Sequence, residues 1–231
     1  MRSAGCIVND IADKKFDKKV ERTKNRPIAS GSVSNKVAIL YILILCFLAF
    51  LILINFNYLT IIMAVASIPL AFSYPLMKRF TYWPQLFLGI TFNYGLLLGW
   101  TSINENISLA PIIFYIGAIF WTLGYDTIYG LQDIKDDEII GNKSTSIKFK
   151  NNLKVFVGSC YCLCIFFILI MFLMMKIDKY LLLILIPFIA SLIYQIKTFQ
   201  IDDPKSCLVT FKNNNFSGLL LFIFIFSFNI L

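Results

Sequence analysis

Seven long apolar runs, almost free of ionisable residues, take up most of this chain and leave it few ways to fold. They cover roughly 38–54, 59–76, 85–101, 110–126, 153–175, 180–198 and 216–231. Each has, or approaches, the length of about 20 residues that a helix needs to cross a bilayer core. The expected fold is therefore all-α: a polytopic bundle of transmembrane helices, read as a single membrane domain over 1–231. Composition agrees. The chain has 231 residues, of which 58% are hydrophobic and only 15% charged, with mean hydropathy +0.76. A soluble core this small cannot bury that much apolar surface, so lipid must cover the rest. The N-terminus lacks the short apolar core and small-residue cleavage site of a signal peptide. The first hydrophobic segments are expected to both target and anchor the chain.

The loops carry the topology. Of 21 Lys and Arg, nineteen fall in residues 1–37, 77–84, 127–154 and 197–215. The opposite loops hold only Lys176 and Lys179. This is a strong positive-inside pattern. It places 1–37 and the motif segment 127–152 in the cytoplasm. It also explains the net charge of +8 without nucleic acid as a partner. Nine of the thirteen acidic residues lie in two of these segments, 10–21 and 126–138. Four spans separate them, an even number, so both are expected on one membrane face.

Histidine is absent, which excludes His-based acid–base catalysis and most zinc sites. Six cysteines are present. Cys160, Cys162 and Cys164 alternate within an apolar run and read as small apolar helix residues.

The first acidic segment reads Asn9-Asp10-Ile11-Ala12-Asp13-Lys14-Lys15-Phe16-Asp17. Asp10, Asp13 and Asp17 share one face if the segment is helical. Three close carboxylates repel unless a cation neutralises them. Mg²⁺ accepts one or two carboxylates together with phosphate oxygens. The alternative is a solvated loop with scattered charges. Downstream, Arg22 and Arg26 are four residues apart, so one helical face would present both. Arg binds phosphate through a fork of N–H donors. Taken alone, they are ordinary positive-inside charges.

The second segment runs from Asp126 to Asp137. Asp126, Tyr129, Asp133 and Asp137 again follow a one-face helical spacing. Asp126 closes an apolar span, where an ionised acid is costly unless partnered. Two such clusters suit two Mg²⁺ ions around one diphosphate. Lys143 comes next, within Gly141-Asn142-Lys143-Ser144-Thr145. Lys78 and Arg79 end Tyr74-Pro75-Leu76-Met77 and are either phosphate ligands or snorkelling anchors.

These motifs resemble the UbiA superfamily of intramembrane prenyltransferases. The first segment matches its NDxxDxxxD form, followed by RTxxRPI. The second matches DxxYxxxDxxxD. Three further stretches are similar to the 4-hydroxybenzoate polyprenyltransferase branch: Tyr74 to Thr81 with Pro84-Gln85 and Leu88-Gly89, Gly124 to Tyr129, and Ile140 to Thr145. The resemblance covers the whole chain, specifically at the motifs and weakly in the helices. It implies seven spans of a nine-span fold. Residues 1–8 would be the end of the second helix, with the first helix and most of the second lacking.

The resemblance further implies transfer of a polyprenyl group from polyprenyl diphosphate to the ring carbon ortho to the hydroxyl of 4-hydroxybenzoate, in ubiquinone biosynthesis. Asp10 and Asp13 would bind one Mg²⁺, supported by Asn9 and Asp17, and Asp133 and Asp137 the other. Arg22, Arg26, Lys78 or Arg79, and Lys143 would hold diphosphate, or one of these bases the benzoate carboxylate. Asp126 and Tyr129 would shape the aromatic pocket. The implied setting is the bacterial inner membrane, or the mitochondrial inner membrane in a eukaryote, with no obligate protein partner. Three other readings stand beside it: another acceptor (homogentisate, a naphthoate or haem), an inactive fragment, and a transporter. Clustering of the acids at one face rather than the midplane argues against the last.

Overall fold

The computed structural model describes residues 2–176 and 178–229. Among them all regular structure is helical, and seven helices are long and apolar enough to cross a membrane. The chain is a multi-pass membrane protein. Its helices form two compact units: Met1–Ile107 with Lys135–Ser144, and Ser108–Ile134 with Thr145–Leu231.

The first unit contains helices α1 (Arg2–Asp17), α2 (Asn35–Leu53), α3 (Tyr58–Ser73) and α4 (Pro84–Asn104). The α2 helix begins where the Ser34 hydroxyl accepts the Val37 N–H at 3.3 Å. This satisfies one of the donors that a helix start leaves open. Most of α2 is exposed, including Leu40, Leu43, Phe47 and Phe50. Apolar side chains on every face suit a lipid environment. Helices α3 and α4 are tied by polar groups. Asn57 caps α3 by accepting from Thr60 N at 3.0 Å and donates its amide to Thr101 O at 2.8 Å. The buried hydroxyls of Thr60 and Thr101 meet at 3.0 Å.

The second unit contains α5 (Leu109–Tyr129), α6 (Leu153–Met174), α7 (Leu182–Thr198) and α8 (Pro204–Phe226). Its core joins Ile128, Val157, Ile168, Leu185, Phe188 and Phe224. Close approach of α5 and α6 depends on Gly124. A Cβ there would lie 2.5 Å from the Tyr161 ring. Cys160 and Cys164 pack in the interior of α6, as small apolar residues do, while Cys162 is exposed.

The last span differs from the sequence expectation. It runs over Pro204–Phe226, not 216–231, and the supposed loop 197–215 is helical from 204 onward. Two local features start it: the Asp203 carboxylate accepts Lys205 N at 2.9 Å, and Pro204 occupies the first turn. Its polar middle is satisfied by tertiary contacts. Trp121 Nε1 donates to Asn214 Oδ1 at 3.0 Å, and Gln195 Nε2 donates to Asn214 Oδ1 at 3.3 Å and to Ser217 Oγ at 2.9 Å. Gln195 Oε1 in turn accepts the Tyr161 hydroxyl at 2.7 Å. Polar groups satisfied inside the bundle allow a polar sequence to be a membrane helix. No signal in the hydropathy pattern shows this pairing.

Candidate active site

In the first unit, α1 carries Asn9, Asp10, Asp13 and Asp17 over its second half. The shared-face expectation for the three aspartates rests on one continuous helix, and one is present. The Asp17 carbonyl at its end accepts the buried Thr23 hydroxyl at 3.1 Å. The chain then turns over residues 18–25 before the short helix Pro27–Ser30. Arg22 and Arg26 therefore do not share a helical face, which corrects the sequence expectation. Thr23 and Pro27 favour a turn and a new helix start over one continuous helix.

The turn delivers Arg26 to the acids. Its Nη1 lies 3.0 Å from Asp10 Oδ1 and 3.2 Å from Asp17 Oδ2. Arg22 is exposed on the turn. Asp13, between the other two, is buried and takes a different partner, Lys78, whose Nζ lies 2.5 Å from Oδ2. Asp13 Oδ1 accepts no hydrogen bond among the described residues, and Arg79 Nη2 stands 3.7 Å from it. Arg79 donates to Ala12 O at 2.6 Å and lies 5.0 Å from the Phe16 ring centre. Burial raises the Asp10 and Asp13 carboxyls above their ordinary value, and the Arg26 and Lys78 charges work against it.

Lys143 joins the same neighbourhood. Its backbone N–H donates to Lys78 O at 2.8 Å and its Nζ to Phe80 O at 3.3 Å. The segment before it is fixed locally. Gly141, at φ +82°, ends the helix Ile134–Ile140 in a left-handed conformation. The N–H groups of Gly141 and Asn142 donate to Asp137 O at 3.0 and 2.9 Å. The Asn142 amide holds Asp137 Oδ1 at 2.8 Å.

In the second unit, Asp126 and Tyr129 end α5. The Tyr129 ring packs on Phe211 with centres 4.4 Å apart, and Tyr125 lies 5.7 Å from Phe211. Beyond Tyr129 the winding changes: Gly130–Asp133 is a 3-10 turn, and α-helix resumes at Ile134. Asp126, Tyr129, Asp133 and Asp137 therefore do not lie along one α-helical face, contrary to the sequence expectation. A 3-10 turn advances about 120° per residue against about 100° in an α-helix. Four such residues rotate the remainder of the helix by roughly 60–80°. Three buried hydroxyls, Thr127, Thr145 and Ser146, were given no role by the sequence. Thr127 and Thr145 lie in the stretches Gly124 to Tyr129 and Ile140 to Thr145 that carry the resemblance, but their pairing is purely tertiary.

Mg²⁺ fits the donors of the first unit. Carboxylate oxygens are hard ligands, and the buried Asp13 Oδ1 has no donor among the described residues. Among the described residues no three acidic side chains converge to hold an ion as they stand. The aspartates would thus offer single oxygens, with phosphate and water supplying the rest.

A sequence model of the UbiA prenyltransferase family matches residues 1–226. The chain belongs to this family. It is 40% identical over 231 residues to a mitochondrial 4-hydroxybenzoate polyprenyltransferase of Drosophila pseudoobscura pseudoobscura, covering 96% of this chain and 56% of that one. The chain thus spans little more than half the length of that relative. It is 38% identical to a 4-hydroxybenzoate octaprenyltransferase of an Enterobacter species, covering 96% of this chain and 77% of that protein. Among solved structures, the apo structure of a UbiA homolog from Aeropyrum pernix K1 superposes with a TM-score of 0.80 at 20% identity. That match covers 96% of this chain and 84% of the other, and establishes the UbiA fold.

Proposed function

We propose that this UbiA-family chain transfers a polyprenyl group from polyprenyl diphosphate to the carbon ortho to the hydroxyl of 4-hydroxybenzoate, with Mg²⁺ as cofactor. The observation that carries the reading is the ion pairing on α1, where Asp10 and Asp17 share Arg26 and buried Asp13 takes Lys78. Acids and bases interleaved in this way suit a ligand that is itself a metal–anion pair.

The chemistry needs a leaving diphosphate whose growing charge is neutralised. Mg²⁺, when bound, supplies positive charge beside the bond that breaks. Asp10 and Asp13 would hold it, with Asn9 and Asp17 in support. Arg26 and Lys78 exchange their carboxylate partners for phosphate oxygens. This keeps every charge paired throughout, as a half-buried site requires. Lys143, docked on the backbone of Lys78 and Phe80, is a third base for phosphate or for the benzoate carboxylate. Asp133 and Asp137 are the metal-holding acids of the second motif in this reading, and Asp126 and Tyr129 line the acceptor pocket. The allylic carbon is attacked by the ring carbon ortho to the phenol oxygen. The ring proton then leaves to a carboxylate or to diphosphate oxygen, since no histidine is present.

The charge partition of the loops supports a cytoplasmic position for both motifs in a bacterial inner membrane. In a mitochondrion the corresponding site is the inner membrane. The test is prenyl transfer in membranes containing this chain, polyprenyl diphosphate, Mg²⁺ and radiolabelled 4-hydroxybenzoate. Homogentisate and a naphthoate serve as rival acceptors. Labelled product from 4-hydroxybenzoate alone is expected. Near-normal rates in both Asp10→Ala and Asp133→Ala would sink the two-metal proposal.

A further inference from the structure

Three hydroxyls in the second unit form a fully buried hydrogen-bond set. Thr127, Thr145 and Ser146 each expose 0% of their surface. The Thr127 hydroxyl donates to Leu123 O at 2.6 Å. With its hydrogen used, its oxygen accepts the Thr145 hydroxyl, also at 2.6 Å. Ser146 Oγ donates to the backbone carbonyl of Thr127 at 2.7 Å. One assignment of the hydroxyl hydrogens satisfies all three bonds.

The position of the set is informative. Thr127 lies in the last turn of α5, three residues before the winding tightens. A carbonyl that accepts a side-chain hydroxyl is drawn away from the helical ladder, and such intrusions bend or rewind helices. Thr145 and Ser146 open the next helical turn, Thr145–Lys148. They close the base of the excursion that begins after Thr127. That excursion bears Tyr129, Asp133, Asp137 and Lys143.

We propose that the Thr127–Thr145–Ser146 clamp is a positioning device that holds the 3-10 turn at Gly130–Asp133 and so fixes the direction in which Asp133 points. The inference rests on the reading of Asp133 as a metal-holding acid. Without the clamp the turn relaxes toward α winding, and Asp133 swings by the roughly 60–80° that separates the two. The clamp touches neither substrate nor reacting atoms, and it acts only through Asp133.

The experiment uses the full chain in nanodiscs. Thr145→Val keeps the shape and deletes the hydroxyl, Thr145→Ser keeps the hydroxyl, and Ser146→Ala opens the carbonyl of Thr127. Three quantities are read: thermal midpoint, prenyl transfer against Mg²⁺ concentration, and Mn²⁺ binding by electron paramagnetic resonance with inorganic pyrophosphate present. Thr145→Val and Ser146→Ala are expected to weaken Mn²⁺ binding by about 10- to 100-fold, the usual effect of losing a group that orients a metal ligand. They should raise the Mg²⁺ requirement in parallel and leave KM for 4-hydroxybenzoate unchanged. Thr145→Ser should match wild type. Wild-type Mn²⁺ binding in both Thr145→Val and Ser146→Ala, with Asp133→Asn inactive, overturns the clamp alone. Losses that Thr145→Ser fails to rescue and that track the thermal midpoint overturn it too. Wild-type binding and turnover in Asp133→Asn overturn the reading of Asp133 itself, and the clamp's role with it.

Discussion

Lys78 and Asp13, 65 residues apart, meet in an ion pair of 2.5 Å in which the carboxylate is almost wholly buried and the ammonium side chain partly exposed. One oxygen of Asp13 is therefore neutralised, and the other accepts no hydrogen bond among the described residues and has Arg79 at 3.7 Å. Removing one member of a buried pair leaves a charge without a partner, at a cost of about 3–5 kcal/mol. Lys78→Met should destabilise the first unit by about 3 kcal/mol, the low end, because Arg79 partly compensates. Lys78→Met with Asp13→Leu should recover most of that. Reversible denaturation in mixed micelles reads both.

Acid tests the same carboxylates from another side. Burial raises the folded pKa of Asp10 and Asp13 above 3.8, against the lowering charges of Arg26 and Lys78. The folded chain then binds more protons than the unfolded one between that value and the folded pKa. These two groups contribute stability below pH 3.8, and it is lost as pH rises through the folded pKa. Metal binding needs the ionised form, so Mn²⁺ affinity should rise across the same window. The thermal midpoint of wild type minus that of Asp13→Asn, plotted against pH without metal, should fall across it. A flat difference would contradict the assignment.

If Asp10 and Asp17 hold metal as proposed, Arg26, which pairs with both, competes with it. Arg26→Gln should therefore tighten binding of Mn²⁺ alone by about fivefold, roughly 1 kcal/mol for a partly exposed pair. It should weaken binding of pyrophosphate in the presence of Mn²⁺, because the guanidinium fork is gone. Calorimetric titration of each ligand, alone and together, separates the two effects.

Gly124 tests the packing of α5 on α6. An alanine Cβ would sit 2.5 Å from the ring of Tyr161, which cannot swing aside because its hydroxyl is held by Gln195 at 2.7 Å. Gly124→Ala should cost about 2 kcal/mol, the usual scale of overpacking. Adding Tyr161→Leu should restore part of it. Thermal unfolding of the double variant against the two singles measures the coupling.

The α1 acids show what a local pattern carries. Asp10, Asp13 and Asp17 were legible as one helical face, because helix formation and side-chain spacing are set by near neighbours. The seven spans and the charge bias of the loops were legible for the same reason: hydropathy is a property of each run alone. The candidate site was legible only as a set of residue types. Which base meets which acid was not, since Lys78 pairs with Asp13 and Arg26 bridges Asp10 and Asp17 only after the turn at 18–25 and the chain's return at 77–80 bring them together.

By itself, then, the sequence determined the membrane class, the number of spans, the acidic motifs and the family, since all of these rest on local spacing and composition. The tertiary structure decided three things that depend on distant partners. The placing of the polar middle of the last span inside the bundle depends on Asn214 meeting Trp121, 93 residues away. The break in the second acidic helix sits beside Ser146, which bonds a carbonyl 19 residues earlier. The pairing of acids with bases depends on Lys78 reaching Asp13 across 65 residues. A buried polar group is stable only against the partner that satisfies it, and that partner is chosen by the fold, whatever the spacing along the chain.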